Sequence, residues 1–184
     1  ILNISKSFNL FDQSVRNGTF DKIMHMKHES FELANKKILI VGFGRIGKKL
    51  LKRCLGFEME IFVYDPYIDE KSIKSYGAKK INNLDEGLKA IDILSLNVPL
   101  TQDTYNMINL KKMKIMKKNS IIINTSRGGV INEKDLNEAL NKGLIYGAGL
   151  DVFEKEPPNA DNPLLQNKKV FLSPHAATFT NECL

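Results

Sequence analysis

Cysteine, histidine and long apolar runs are scarce in this chain of 184 residues. Its two cysteines, Cys54 and Cys183, have no CxxC spacing, which argues against a disulfide framework or a zinc site and favours a reducing compartment. No apolar run approaches the roughly 20 residues that cross a bilayer, so we expect a soluble, cytoplasmic protein with no membrane partner. His25 and His28 have no further ligands nearby, and we expect no metal site there.

Acidic residues are outnumbered, since 27 lysines and arginines against 21 aspartates and glutamates give a net charge of +6. The densest basic run, residues 111–118, interleaves with Leu110, Met113 and Met116 at helical spacing. This pattern is typical of a helix that buries its apolar side and leaves its lysines in solvent. We therefore expect no nucleic-acid partner, and 42% hydrophobic with 26% charged residues indicates an ordinary globular domain.

The stretch VGFGRIG at residues 41–47 follows an apolar run and precedes a helical pattern. In a dinucleotide-binding turn, Gly42 makes the tight turn, Gly44 lets backbone amides approach a pyrophosphate, and Gly47 lets helix and strand pack closely. Asp65 ends the next apolar run, about as far along as the ribose-binding acid of such a fold. Its carboxylate would bind the ribose hydroxyls and repel a 2′-phosphate, which favours NAD over NADP. The simpler alternatives are a glycine turn without a ligand and an Asp-Pro turn.

Beyond residue 36, apolar runs alternate with helical patterns. The strands are predicted at 37–42, 60–65, 92–98, 120–126, 144–152 and 169–174. This alternation predicts an α/β fold, a doubly wound parallel sheet of the NAD(P)-binding Rossmann type over residues 36–184. One helix has clear ends, because Asn132 with Asp135 resembles a capping box and Gly143 follows its last periodic residue.

The first 35 residues follow a different pattern. An apolar stripe at helical spacing precedes Asn17 and Gly18, and consists of Ile4, Phe8, Phe11 and Val15. We interpret residues 1–35 as an amphipathic arm. Its apolar side must pack either on the sheet domain or on a partner chain.

Ligands of an open parallel sheet bind outside the carboxyl ends of its strands. Four of the predicted strands end in Asn97-Val98-Pro99, in Ser126-Arg127-Gly128-Gly129, in Asp151 and in Pro174-His175. Taken singly, Arg127 is a surface cation and His175 a loop histidine. Together beside a dinucleotide, an arginine that binds a carboxylate and a histidine that exchanges a proton predict hydride and proton transfer on an anionic hydroxy or oxo acid.

With these motifs the chain resembles the cofactor-binding half of the D-isomer-specific 2-hydroxyacid dehydrogenases, and most closely their phosphoglycerate dehydrogenase branch. The resemblance lies in the segments 40–47, 63–67, 97–101 with Thr104, 124–131, 148–157 and 173–175. It implies that Arg127 holds the carboxylate and C2 oxygen of the substrate and that His175 is the acid/base. Glu156, which directly precedes Pro157, would pair with the imidazole, favouring the imidazolium that protonates a developing alkoxide.

The resemblance also implies NAD as the cofactor. The cofactor-binding positions would be Gly42, Gly44, Arg45, Ile46, Gly47, Asp65, Asn97, Val98, Pro99, Thr104, Thr125, Ser126, Arg127, Asp151 and His175. Among these, Asp151 resembles the family residue near the nicotinamide.

In this family the substrate domain is formed by segments from both ends of the chain, and these are largely absent from this sequence. Residues 1–35 resemble the segment that crosses from the substrate domain into the cofactor domain. We therefore expect a piece of a longer enzyme, a homodimer when intact, that binds NAD but turns over 2-oxo acids poorly alone. A glyoxylate/hydroxypyruvate reductase and a non-catalytic NADH-sensing module similar to the family's co-repressors remain alternatives. A formate dehydrogenase is disfavoured because glutamine is expected where Glu156 stands.

Overall fold

A parallel sheet of seven strands organises residues 1–25 and 30–181, the part of the chain that the computed structural model describes. The strands are β1 (Lys37–Val41), β2 (Glu60–Tyr64), β3 (Lys79–Lys80), β4 (Ile93–Leu96), β5 (Ile121–Asn124), β6 (Gly147–Leu150) and β7 (Val170–Leu172). The helices are α1 (Leu2–Ser5), α2 (Phe8–Arg16), α3 (Phe20–Met24), α4 (Arg45–Gly56), α5 (Glu70–Ser75), α6 (Leu84–Ala90), α7 (Leu110–Met113) and α8 (Glu133–Asn141), and a 3₁₀ turn spans Pro163–Gln166.

The strand order is β3-β2-β1-β4-β5-β6-β7, with every neighbouring pair parallel. The order reverses between β1 and β4, which is the crevice where a doubly wound sheet binds its ligand. The predicted α/β fold is confirmed, and each predicted strand is present in a shorter form. Strand β3 was not predicted, because it consists of two lysines and lacks the apolar residues that indicate a buried strand.

The central strands are apolar on both faces because helices cover both sides of the sheet. Ile38 and Ile40 of β1 point into one apolar cluster, which includes Leu51 of α4. Leu39 of the same strand points into the other, which includes Leu136 of α8. No helix in the described ranges is both long and apolar enough to span a bilayer.

The amphipathic arm differs from the single helical stripe predicted for it. Ser7, with a φ of 51°, interrupts the helix between α1 and α2. Ile4 packs on the sheet, 3.3 Å from the position that a Cβ on Gly147 would take. In α2, by contrast, Phe8 and Val15 are 52% and 61% exposed. Ile4 of the stripe therefore packs on the sheet domain, whereas Phe8 and Val15 leave much of their surface exposed.

The start of α8 departs from a closed capping box. The Asn132 side chain accepts a hydrogen bond from the Asp135 amide at 3.0 Å, as predicted for the cap. The Asp135 carboxylate, however, accepts from the Leu110 amide at 2.8 Å, and the Asn132 amide donates to the Ile108 carbonyl at 3.0 Å. Asp135 thus joins α8 to α7 instead of capping its own helix.

The lysine run forms a shorter helix than its spacing suggests, because α7 ends at Met113. Met113 and Met116 are buried, as expected. Lys112 and Lys117 are half-buried and pair with Asp85 and Asp92, so the run is only partly a solvated face. Of the remaining residues considered above, Cys54 lies in α4, where burial raises the pKa of its thiol to about 11. His28 and Cys183 lie outside the described residues.

Candidate active site

The loops that carry the predicted site residues all leave the carboxyl ends of parallel strands, at one edge of the sheet. Gly42 and Asp65 follow β1 and β2 on one side of the crevice, and Asn97 follows β4 on the other. Arg127, Asp151 and His175 follow β5, β6 and β7, which are direct neighbours in the sheet. The topology therefore gathers both groups along one rim.

The glycine turn between β1 and α4 requires glycine at its tightest points. Gly42 has a φ of 89°, and a Cβ there would lie 2.5 Å from the Asn97 carbonyl oxygen of the neighbouring loop. A Cβ on Gly47 would lie 2.4 Å from the Gly42 carbonyl oxygen. At Gly44, by contrast, no atom lies within 4 Å of a Cβ position. The N-terminus of α4 therefore opens onto free space, as a pyrophosphate requires.

Asp65 is fixed against this turn. Its carboxylate accepts hydrogen bonds from the Phe43 amide at 2.8 Å and from the Tyr67 amide at 2.9 Å. The negative charge thus lies beside the residue that separates Gly42 from Gly44. An open helix N-terminus and an anchored carboxylate next to it are the two features that a dinucleotide needs for its phosphates and its adenosine ribose. The residues present therefore fit NAD, in which α4 would face the phosphates and Asp65 the ribose.

The loops after β4 and β5 are stabilised largely from within. Thr104 donates from its hydroxyl to the Pro99 carbonyl oxygen at 2.6 Å and accepts from the Thr101 amide at 2.8 Å. The Asn97 amide group donates to the Ser95 carbonyl oxygen at 3.2 Å, and Val98 contacts the glycine turn beside it. The cofactor contacts predicted for Asn97, Val98, Pro99 and Thr104 remain predictions.

Asn124, at the end of β5, organises the loop that carries Arg127. Its side chain accepts hydrogen bonds from the amide and hydroxyl of Ser126, at 3.0 and 2.8 Å, and donates to the Arg127 carbonyl oxygen at 2.9 Å. Thr125 and Arg127 point outward and are exposed, whereas Ser126 is buried. Asn124 was not among the predicted site residues, although a buried asparagine ending an isoleucine strand is a usable signal.

The Arg127 guanidinium donates to the Ser126 carbonyl oxygen at 2.6 Å. Among the residues that the structure describes, no carboxylate lies within ion-pair distance of it. Since a guanidinium has five N–H donors, most of them are left for an anion in the crevice. Arg127 can therefore bind a carboxylate without first breaking an internal pair.

Glu156 and His175 form the pair that the resemblance implies. His175 Nδ1 lies 2.8 Å from Glu156 Oε2, and the Phe153 amide donates to Glu156 Oε1 at 3.0 Å. Both oxygens of the carboxylate are thus occupied. The hydrogen bond from His175, followed by that from Phe153, lowers the pKa of Glu156. The pairing leaves Nε2 as the ring nitrogen that can exchange a proton with a ligand.

Asp151 holds the loop that carries His175. Its carboxylate accepts from the Ser173 hydroxyl and, at 2.9 Å each, from the amides of Ala176 and Ala177. The His175 amide donates to the Asp151 carbonyl oxygen at 2.7 Å, and His175 itself has a φ of 53°. These contacts were not anticipated, because backbone amides leave no trace in a sequence. The nicotinamide contact predicted for Asp151 remains a prediction.

Asp151 makes the stability of the folded protein depend on pH in the acid range. Burial raises the pKa of this carboxyl, but the hydrogen bonds from Ser173, Ala176 and Ala177 outweigh it, so the net shift is downward. A depressed folded pKa stabilises the protein above about pH 4, and this contribution is lost as the pH falls through the folded value.

We expect Asp151→Asn to lower the free energy of unfolding by about 2 kcal/mol at neutral pH, because the side-chain NH₂ of asparagine cannot accept the hydrogen bond that Asp151 accepts from the Ala177 amide. Urea unfolding measured at about pH 7 and pH 3 should give a smaller difference at the lower pH, where the native carboxyl is partly protonated. The exposed Asp161→Asn serves as the matched control, with a small difference at both pH values. Equal differences at the two pH values for Asp151→Asn would contradict the role of its charge.

Comparison with known proteins agrees with this geometry. Residues 1–177 match the family model described as D-isomer specific 2-hydroxyacid dehydrogenase, NAD binding domain. The chain is 42% identical over 169 residues to a D-3-phosphoglycerate dehydrogenase of Methanocaldococcus jannaschii, a match that covers 92% of the chain and 32% of that protein. It is also 42% identical over 172 residues to a glyoxylate reductase of Korarchaeum cryptofilum, covering 93% of the chain and 52% of that protein.

Solved structures give the same result. The apo D-mandelate dehydrogenase of Rhodotorula graminis superposes with a TM-score of 0.90 at 29% identity, over 99% of this chain and 54% of that one. The D-lactate dehydrogenase of Aquifex aeolicus, solved with NAD and lactic acid, superposes with a TM-score of 0.86 at 31% identity, over 99% of this chain and 58% of that one. The chain thus spans from about a third to somewhat over half of the length of these proteins.

Proposed function

The chain belongs to the D-isomer specific 2-hydroxyacid dehydrogenases, whose NAD-binding domain it spans, and we propose that the whole protein interconverts a D-2-hydroxy acid and its 2-oxo acid. The observation that carries the proposal is the 2.8 Å contact between His175 and Glu156. It occurs on the loops after β6 and β7, next to the loop after β5 that presents Arg127, and on the same rim as the glycine turn.

Arg127 binds the substrate in this proposal. A planar guanidinium forms two parallel hydrogen bonds with a carboxylate, which fixes the orientation of the acid as well as its position. Because the guanidinium of Arg127 is exposed and without a carboxylate partner among the described residues, it has donors for both the carboxylate and the C2 oxygen.

His175 moves the proton. NADH, when bound, supplies the hydride that adds to C2 of the 2-oxo acid. The C2 oxygen then gains a proton from Nε2 of His175, because Nδ1 is engaged by Glu156. Glu156 stabilises the imidazolium before the transfer, and in the oxidative direction the same nitrogen accepts the proton.

Asp65 selects the cofactor. We expect this chain to bind NADH more tightly than NADPH, since a 2′-phosphate would meet the Asp65 carboxylate. Calorimetric titration of the wild-type chain and of Asp65→Asn with both nucleotides tests this, and the variant should lose most of the discrimination. Asp69→Asn, a cap of α5 four residues further along, is the matched control and should bind as the wild type does. Equal or tighter binding of NADPH by the wild-type chain would remove the role given to Asp65.

Our preferred substrates are 3-phosphoglycerate and its 2-oxo acid, phosphohydroxypyruvate, as in the phosphoglycerate dehydrogenases of the family. Glyoxylate or hydroxypyruvate is the second candidate, favoured by the equal identity of the chain to a glyoxylate reductase. Rates of NADH oxidation by the full-length protein with phosphohydroxypyruvate, hydroxypyruvate, glyoxylate and pyruvate decide between them through kcat/KM. NADH binding without turnover of any of the four would instead support a sensing module similar to the family's co-repressors.

The exposed apolar residues of the arm support a homodimer of the whole protein. Phe8, Leu10, Val15 and Phe20 are all large, apolar and exposed in this chain. A second copy packing on α2 and the start of α3 would cover them. Light scattering of the full-length protein tests the dimer, and a monomer at micromolar concentration would count against it.

A further inference from the structure

Glu133 and Glu154 exchange hydrogen bonds beside the catalytic loops, although they are distant in sequence. The Glu154 amide donates to Glu133 Oε1 at 2.6 Å, and the Glu133 amide donates to Glu154 Oε1 at 3.3 Å. Asn162 donates to the second oxygen of Glu133 at 2.7 Å. Two carboxylates would repel each other directly, but here each is stabilised by a backbone amide of the other's segment. The pair therefore ties the start of α8 to the loop after β6.

The peptide held by Glu133 is next to the one that holds the catalytic glutamate. The amide of Phe153 donates to Glu156 at 3.0 Å, and the following amide, that of Glu154, donates to Glu133 at 2.6 Å. On the opposite side of this peptide, the Phe153 carbonyl oxygen lies 1.7 Å from where a Cβ of Gly128 would be. Gly128 directly follows Arg127. The Phe153–Glu154 peptide plane thus lies between the arginine loop and Glu133, and the peptide before it donates to Glu156.

We propose that Glu133 is a positioning residue that fixes the Phe153–Glu154 peptide plane and so keeps Glu156 against His175. The inference rests on the proposed function, since it assigns Glu133 to the machinery of that reaction. Glu133 lies outside the crevice and touches the acid/base pair only through the backbone.

The helix itself does not need Glu133 for its own stability. Asn132 already caps α8 through the Asp135 amide at 3.0 Å, and Leu136, Ala139 and Leu140 anchor the helix in the core. Glu138 is half-buried on the same helix, as Glu133 is, but its carboxylate pairs with Lys142 at 2.6 Å and has no contact with the loop after β6. Removal of Glu138 would cost α8 one ion pair within the helix, whereas removal of Glu133 would cost two contacts outside it, with the Glu154 amide and with Asn162.

The first test measures the ionisation of Glu156 in this chain by the ¹³C shift of its carboxyl carbon. The titratable groups that act on Glu156 are His175, which lowers its pKa, and Asp151, which raises it. In Glu133→Ala, we expect the pKa of Glu156 to rise towards the ordinary value for glutamate, because its contacts with Phe153 and His175 loosen. Glu138→Ala should leave it unchanged. Glu133→Gln keeps an oxygen acceptor for the Glu154 amide and should restore most of the wild-type titration.

The second test uses the full-length protein. We expect Glu133→Ala to lower kcat about tenfold with the KM for NADH unchanged, since a misplaced acid/base pair affects the chemical step. A wild-type Glu156 titration and wild-type kcat in Glu133→Ala would overturn the inference. A lowered melting temperature with an unchanged titration would also overturn it, because it would indicate a purely structural role. If the wild-type protein turns over no 2-oxo acid, the proposed function fails, while the titration still decides whether Glu133 positions Glu156.

Discussion

His175→Gln is expected to lower kcat for 2-oxo acid reduction by the full-length protein about 10²- to 10⁴-fold, the contribution typical of a general acid. Glutamine keeps a hydrogen-bonding side chain of similar reach but cannot deliver a proton at neutral pH. The affinity for NADH should fall far less, because the glycine turn and Asp65 lie on the other side of the crevice. Stopped-flow turnover and fluorescence titration with NADH separate these two effects.

Two variants control this experiment. His25→Gln makes the same change on the arm, far along the chain from the rim, and should leave kcat unaltered. Glu156→Gln keeps the acceptor oxygen for the Phe153 amide but removes the charge beside the imidazole. It should give an intermediate loss of kcat and alter the pH profile. A His175→Gln enzyme with wild-type kcat would exclude His175 as the acid/base.

Gly128→Ala is expected to destabilise the chain by about 3 kcal/mol, near the upper end of the cost of forcing extra atoms into a packed site. The added methyl would lie 1.7 Å from the Phe153 carbonyl oxygen and 2.6 Å from the Glu154 amide nitrogen. Both are backbone atoms, so relief requires one of the two loops to move. The midpoint of urea unfolding should fall accordingly, and the Arg127 and Glu156 loops should separate.

Gly56→Ala is the matched control, because nothing lies within 4 Å of a Cβ at the end of α4. Alanine has the higher helix propensity, so this variant should be neutral or up to about 1 kcal/mol more stable. If Gly128→Ala unfolds at the same urea concentration as the wild type, the two loops do not touch as described.

The sheet was largely predictable because buried parallel strands must be apolar on both faces. A run such as Ile121-Ile122-Ile123 has few other places in a folded protein. The glycine turn was equally predictable, since the spacing of its glycines between a strand and a helix reflects positions where a side chain would not fit. At Gly42 a Cβ would lie 2.5 Å from the Asn97 carbonyl oxygen. The helix break at Ser7 could not be predicted, because the left-handed backbone conformation of a serine leaves no mark on the hydrophobic periodicity.

The residue types of the site, and the rim of the sheet on which they lie, could be predicted from the sequence. The hydrogen bonds that hold them in place could not. Strand ends meet at one rim by topology, so the gathering of Arg127, Asp151 and His175 followed from their positions in sequence. The contacts of Asp151 and Glu133 with backbone amides could not be foreseen. Any residue can offer a backbone amide, and the pairing depends on how loops distant in sequence pack together.

Within residues 1–25 and 30–181, strand β7 pairs only with β6; it is three residues long, and all three are partly buried. The acid/base residue therefore follows a short edge strand, where transient opening costs less free energy than at the centre of the sheet. Warming should detach His175 from Glu156 while the inner strands still hold, so that inactivation precedes global melting. Faster amide hydrogen exchange in β7 than in β5 would show that this edge strand opens first.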